Sequence, residues 1–109
     1  MKKIFFLLFV LSLLILSACQ SDVSDTETIA KCLTGKSVAM YGAEWCGHCQ
    51  NQKKMFGEAF QYVNYVDCDK NAPACDEAGI RGYPTWIING QKYEGEQTIE
   101  ELISIAGCD

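Results

Sequence analysis

The chain has 109 residues, a formal net charge of −5 and 49% hydrophobic residues. That length suits one small domain, and the acidic balance argues against nucleic acid or anionic lipid headgroups as partners. Seven cysteines and a single histidine are the unusual counts.

The start of the chain reads as an address. Lys2 and Lys3 precede an apolar run, Ile4 to Leu16, and then small residues, the order of a secretory signal. The run is shorter than the roughly 18 residues of a spanning helix, which argues against the alternative of a permanent membrane helix. Leu16-Ser17-Ala18-Cys19 resembles the bacterial lipoprotein signal. The resemblance implies that residues 1–18 are removed and that Cys19 becomes the lipidated first residue. The alternative is a chance cysteine beside an ordinary cleavage site. Several acyl chains on one residue hold a protein firmly, whereas a single chain binds marginally. The expected location is extracytoplasmic, lipid-anchored to a bacterial membrane on its periplasmic or outer side. Gln20 to Glu27 is polar, without a core pattern, and is expected to be a tether that makes residues 19–27 a linker before a domain at 28–109.

Within the domain, Thr28 to Leu33 fits a short helix and Ser37 to Gly42 a buried strand. From Cys46 to about Gln61 the spacing is helical, with Cys49, Phe56 and Phe60 on one face. Tyr62 to Val66 reads as a second strand. Asn71, Pro73 and Gly79 mark the start and end of a short helix. Thr85–Ile88 and Gln91–Glu94 flank Asn89-Gly90, a strong hairpin signal. Thr98 and Glu101 form a capping box ahead of an apolar stripe of Ile99, Leu102, Ile103 and Ala106. The order predicts an α/β domain with a mixed four-stranded sheet and helices on both faces.

Cys46 and Cys49 lie between a strand and a helix, with His48 between them. At a helix N-terminus, unpaired N–H groups and the macrodipole favour a thiolate at Cys46, the attacking species. Cys49, one turn in, is placed to resolve a mixed disulfide. The imidazole of His48 can stabilise the Cys46 thiolate and so favour the reduced pair, which makes the couple an oxidant towards others. A metal site and a purely structural disulfide are the competing readings. A zinc site needs two further ligands, and the chain has neither a second Cys-x-x-Cys nor another histidine.

Trp45-Cys46-Gly47-His48-Cys49 resembles the active-site motif of the thioredoxin superfamily, with the Gly-His pair of protein disulfide isomerases. Gly79-Ile80-Arg81-Gly82-Tyr83-Pro84-Thr85 resembles the segment that carries the cis-proline facing the active-site disulfide. The likeness covers roughly residues 28 to 108. Met40-Tyr41-Gly42-Ala43, Gln52-Lys53, Met55-Phe56-Gly57 and Tyr83 to Asn89 are more narrowly similar to the thioredoxin-like domain of vitamin K epoxide reductase homologues. In those proteins the domain exchanges disulfides with a membrane-embedded quinone reductase, and the similarity implies a free-standing, lipid-tethered version of the soluble half. Two departures stand out: Met40 occupies the position of the family's buried acid, and the first thioredoxin strand is expected to be missing, since the tether lies where it should be.

The resemblance implies Cys46 as nucleophile, Cys49 as resolving thiol and His48 as the residue that tunes them. Trp45, Tyr83 and Pro84 would form the substrate surface, with a cis Pro84 setting the Tyr83 backbone opposite Cys46. Glu44 either tunes the site charge or is merely solvated. With Cys19 lipidated, six cysteines remain, an even number that reads as disulfides in an exported domain. The vitamin K reductase-like domains carry a cysteine pair at positions matching Cys68 and Cys75, which implies a bridge there, a second redox relay being the alternative. Thioredoxin-like topology brings Cys32 and Cys108 to one pole and implies a bridge there too, two free thiols being the alternative.

The expected function is that of a monomeric, membrane-tethered thiol–disulfide oxidoreductase acting on protein thiols and disulfides. It would need no bound cofactor or metal and would work with a membrane vitamin K epoxide reductase-like or quinone-linked partner. Isomerases lie near about −180 mV and thioredoxin near about −270 mV, and the Gly-His pair places the couple towards the former. The rival expectation is a non-catalytic protein-binding module.

Overall fold

The computed structural model describes residues 23–109. The expected signal peptide at 1–18, the lipidation site Cys19 and any strand ahead of the first helix lie outside the described residues. The first helix, α1, spans Val23–Gly35. It begins five residues before Thr28, so the end of the expected tether is helical. Ala30 and Leu33 are buried, and this apolar face, with Ile29 against the core, supplies the packing that most helical stability rests on.

A turn follows in which Ser37 has φ 60° and Val38 N–H donates to the Leu33 carbonyl at 3.0 Å. It delays the first strand, β1, to Ala39–Gly42. Helix α2 (Gly47–Phe56) ends where Gly57 takes φ 57° and ψ −135°. Glycine tolerates that left-handed φ without a Cβ clash. The chain continues as a 3₁₀ helix, Gly57–Tyr62. The helix expected to reach Gln61 is therefore broken in two at Gly57, while the apolar spacing of Phe56 and Phe60 runs on through the break.

Strand β2 is Tyr65–Asp67, shifted from Tyr62–Val66 because the 3₁₀ helix holds Tyr62, whose carbonyl accepts the Thr34 hydroxyl at 2.6 Å. Helix α3 (Ala72–Ala78) has Asn71 at its N-cap without a side-chain capping bond, and Gly79 ends it in the left-handed region. Strands β3 (Thr85–Ile88) and β4 (Gln91–Glu94) join through Asn89 and Gly90, both at positive φ, as the two-residue hairpin requires. Helix α4 (Ile99–Ala106) carries the reciprocal Thr98–Glu101 capping box.

The sheet order is β2-β1-β3-β4. Strand β1 pairs parallel with β2 and antiparallel with β3, and β3 pairs antiparallel with β4. Ala39, Met40 and Gly42 of β1 and Thr85, Trp86 and Ile88 of β3 are buried, so the two central strands are covered on both faces. The core gathers Leu33, Met40, Phe56, Trp86, Ile88 and Leu102. Among the described residues no helix is long and apolar enough to cross a membrane. Cys32 is bonded to Cys108, and Cys68 to Cys75.

Candidate active site

The site forms where β1 gives way to α2. Cys46 is the N-cap residue of α2, in extended conformation, and its Sγ accepts the Cys49 backbone N–H at 3.2 Å. A sulfur thus occupies the position where Ser or Asp normally satisfies an orphan N–H, at the positive end of the helix dipole. Both thiols are free, and Cys49 is fully buried while Cys46 is 7% exposed. Burial, the hydrogen bond with Cys46 and the nearby Cys46 charge push the Cys49 thiol up to about 12.

The Tyr83–Pro84 peptide bond is cis, and the Tyr83 carbonyl lies 3.6 Å from Cys46 Sγ. An open groove of about 490 Å³ passes the sulfur, lined by Trp45, Cys46, His48, Ile80, Arg81 and Tyr83 among others. Trp45 is 71% exposed and meets Tyr83 edge to face at 5.8 Å. An apolar ring left in water beside a groove suits contact with another molecule. Pro84 is fully buried, so the groove wall expected from it is Tyr83.

His48 lines the groove, but its hydrogen bond runs to Glu96, Nδ1 to Oε2 at 2.7 Å. Sequence reasoning missed Glu96, which lies 48 residues away with no local signal. Its loop is fixed on both sides. Gly95 N–H donates to the Pro84 carbonyl at 2.8 Å, and Gln97 N–H donates to Gln52 Oε1 at 2.8 Å. Gln52 was also missed as a support residue. It is buried, accepts from Trp86 Nε1 at 3.0 Å and donates to the Gln97 carbonyl at 2.8 Å. Glu44 pairs with Lys53 at 2.9 Å. Among the described residues no three His, Cys, Asp or Glu side chains are grouped to hold a metal ion.

Gly42 sets the floor of the site. A Cβ there would lie 2.9 Å from Cys49 Sγ and 3.2 Å from the Tyr65 ring. Cys49 is fully buried and has little room to yield. Gly42→Ala should therefore cost about 1–3 kcal/mol, as overpacking of a filled core does. Urea denaturation checks this, and an unchanged midpoint would mean that the floor is softer than its packing implies.

A family model described as Thioredoxin matches residues 20–106. The chain belongs to the thioredoxin family. This thioredoxin-family chain is 44% identical over 88 residues to Thiol-disulfide oxidoreductase LTO1 of Arabidopsis thaliana, a match covering 72% of the chain and 23% of that protein. It is 32% identical over 114 residues to Protein disulfide-isomerase A3 of Gallus gallus, covering 90% of the chain and 23% of that protein. The chain spans about a quarter of the length of these curated relatives. Among solved structures, the thioredoxin NaTrxh of Nicotiana alata aligns with a TM-score of 0.47 at 23% identity, covering 62% of the chain and 66% of that structure.

Proposed function

We propose that the chain is a thiol–disulfide oxidoreductase that exchanges disulfides with protein substrates through Cys46 and Cys49, tethered to the outer side of a membrane. The observation that carries this reading is the position of Cys46 Sγ. It caps α2 at the mouth of an open groove, with Cys49 buried directly behind it.

In the oxidising direction the pair begins as a disulfide. A substrate thiolate in the groove attacks Cys46 Sγ, and the Cys46–Cys49 bond breaks. Cys49 leaves as a thiolate and takes up a proton, which its high affinity for protons favours. A second substrate thiolate then attacks the substrate sulfur of the mixed disulfide, and Cys46 leaves as a thiolate stabilised by the α2 N-terminus. Two electrons pass from substrate to enzyme, so the exchange itself calls for no bound cofactor. Isomerisation starts from the reduced pair: the Cys46 thiolate attacks a substrate disulfide, one substrate sulfur leaves as a thiolate, and another substrate thiolate then attacks the mixed disulfide and releases Cys46, with no net transfer of electrons. An extended substrate segment can lie along the groove beside the Tyr83 carbonyl, with Trp45 as an apolar contact.

The Gly47-His48 pair supports the oxidising or isomerising end, in keeping with the disulfide-isomerase names among the relatives. Leu16-Ser17-Ala18-Cys19 supports anchoring by a lipidated Cys19. The narrower resemblance to vitamin K epoxide reductase-linked domains supports a membrane quinone-linked oxidase that renews the disulfide.

Disulfide transfer to a reduced, unfolded protein is expected from the wild type. Cys46→Ser should reduce it to the uncatalysed rate, while Cys49→Ser, offered a disulfide-bonded protein instead, should accumulate mixed disulfides through Cys46. Equal activity in wild type and Cys46→Ser would end the enzyme reading and leave a docking module.

A further inference from the structure

Cys49 poses a chemical problem. Whenever the pair reduces a disulfide, or escapes a stalled mixed disulfide, Cys49 must attack Cys46 as a thiolate. Yet it is fully buried, with burial and its contact with Cys46 opposing that charge. Met40, on the strand beneath, is also fully buried and offers nothing polar.

Lys53 lies one turn beyond Cys49 on α2, at i+4 and so on the same helix face. Its side chain is 18% exposed. The ammonium sits 4.3 Å from the centre of the Tyr65 ring and 5.6 Å from that of Phe60. The edge of the Tyr65 ring and Cys49 Sγ share the space over Gly42, so the cation and the thiol both lie near one aromatic ring. Glu44, from the loop between β1 and α2, fixes the ammonium at 2.9 Å. Glu44 is 57% exposed, so solvent screens its charge more than that of Lys53. The Gln50 amide holds the Glu44 backbone carbonyl at 2.7 Å.

We propose that Lys53 is a positioning residue for the exchange reaction, its ammonium holding the negative charge of Cys49 while the mixed disulfide at Cys46 is resolved. This rests on the exchange activity proposed above. Solvent base takes the proton of Cys49. The Cys49 thiolate attacks Cys46 Sγ, the Cys46–substrate bond breaks, and the bonding pair leaves on the substrate sulfur as a thiolate. The direction agrees with the electrostatics: against burial and Cys46, the backbone hydrogen bond from Ala43 and then the charge of Lys53 lower the proton affinity of Cys49. Other titratable groups surround the site. Tyr65 and Asp67 come from β2, and Tyr65 lies within electrostatic reach of Glu44, Asp67, Cys46 and Cys49. The Tyr65 hydroxyl is buried without a hydrogen-bond partner, and burial raises its own proton affinity. Lys53 is the cation that acts on Cys49.

The test follows the reduced full chain, carrying Cys19→Ser so that Cys46 and Cys49 are its free thiols, in detergent with the aromatic disulfide 5,5′-dithiobis(2-nitrobenzoate). The first thionitrobenzoate released reports attack by Cys46, and the second reports resolution by Cys49. Lys53→Met should slow the second phase about tenfold and move its pH profile up by about one unit, the equivalence between thiolate fraction and pKa. It should leave the first phase within about twofold, and Lys53→Arg should restore the second phase, because charge and not the ammonium itself is required. A second phase unchanged in rate and pH profile in Lys53→Met would overturn the proposal while leaving the exchange reading intact. A parent chain that releases no second equivalent would sink both. Thermal unfolding of Lys53→Met separates the cases, since a purely structural role lowers the melting temperature without moving the pH profile.

Discussion

Replacing Cys32 and Cys108 together by alanine should lower stability by about 4.5 kcal/mol, the loop-closure value for a bridge of this span. The two residues are 76 positions apart, so the bond closes nearly the whole domain. In the unfolded chain it removes most of the freedom of the two ends. In the folded chain it ties α1 to Cys108, two residues beyond α4, where Lys36 Nζ also donates to the Gly107 carbonyl at 2.8 Å. For a domain of this size each kcal/mol moves the melting temperature by about 4–8 °C, so the double variant should melt roughly 20 °C or more below wild type. Small domains hold only about 5–15 kcal/mol in total, which makes this loss a large share. The Cys68–Cys75 bond, 7 positions apart, should contribute about 2.5 kcal/mol in the same treatment. Urea denaturation of the two double variants gives the comparison. If removing the short bridge cost more than removing the long one, chain entropy would not be what these bonds act through.

Gln52→Leu should cost about 2–4 kcal/mol, more than its place on a polar-looking stretch of helix suggests. The substitution keeps the volume but removes the partners of the Trp86 indole N–H, the Gln97 N–H and the Gln97 carbonyl. Trp86 is fully buried, so its N–H loses its bond with no water to replace it, a penalty of about 1–3 kcal/mol. Gln97 is half-buried, and its two groups lose less. The effect should also reach the site. Once Gln97 is released, the loop that carries Glu96 to His48 is held on one side only, by Gly95 on Pro84. Urea denaturation reads the first effect and hydrogen exchange at Glu96 and Gln97 the second. A variant as stable as wild type would show that the indole finds another acceptor.

The parts of the fold legible in the sequence are those set by a few neighbouring residues. Asn89-Gly90 and the Thr98–Glu101 capping box gave the hairpin and the last helix their limits because turn and cap chemistry is local. The end of α2 was not legible. Gly57 interrupts the helix while Phe56 and Phe60 keep its spacing, and a 3₁₀ helix carries nearly the same pattern. The start of α1 was masked by polar composition, since its stability comes from tertiary contacts of Ile29, Ala30 and Leu33. At the site, the Cys-x-x-Cys motif and its place between strand and helix were plain. The groups that surround it were not. Glu96 and Gln97 reach α2 from 45 or more positions away. Lys53 reads as a solvated lysine until the fold lays it over Tyr65.

The sheet order bears on how a chain with the proposed activity would meet partly folded proteins. Partly folded proteins expose strands that add to any free sheet edge. Among the described residues one edge is β2, three residues long. The other is β4, with Gln91, Lys92 and Glu94 exposed and the Lys92 ammonium turned onto the Gly79 carbonyl at 2.9 Å. Edges this short and charged are poor templates for aggregation. Under the proposed function, a visiting strand that finds no purchase on either edge is left the groove beside Tyr83, where Cys46 lies.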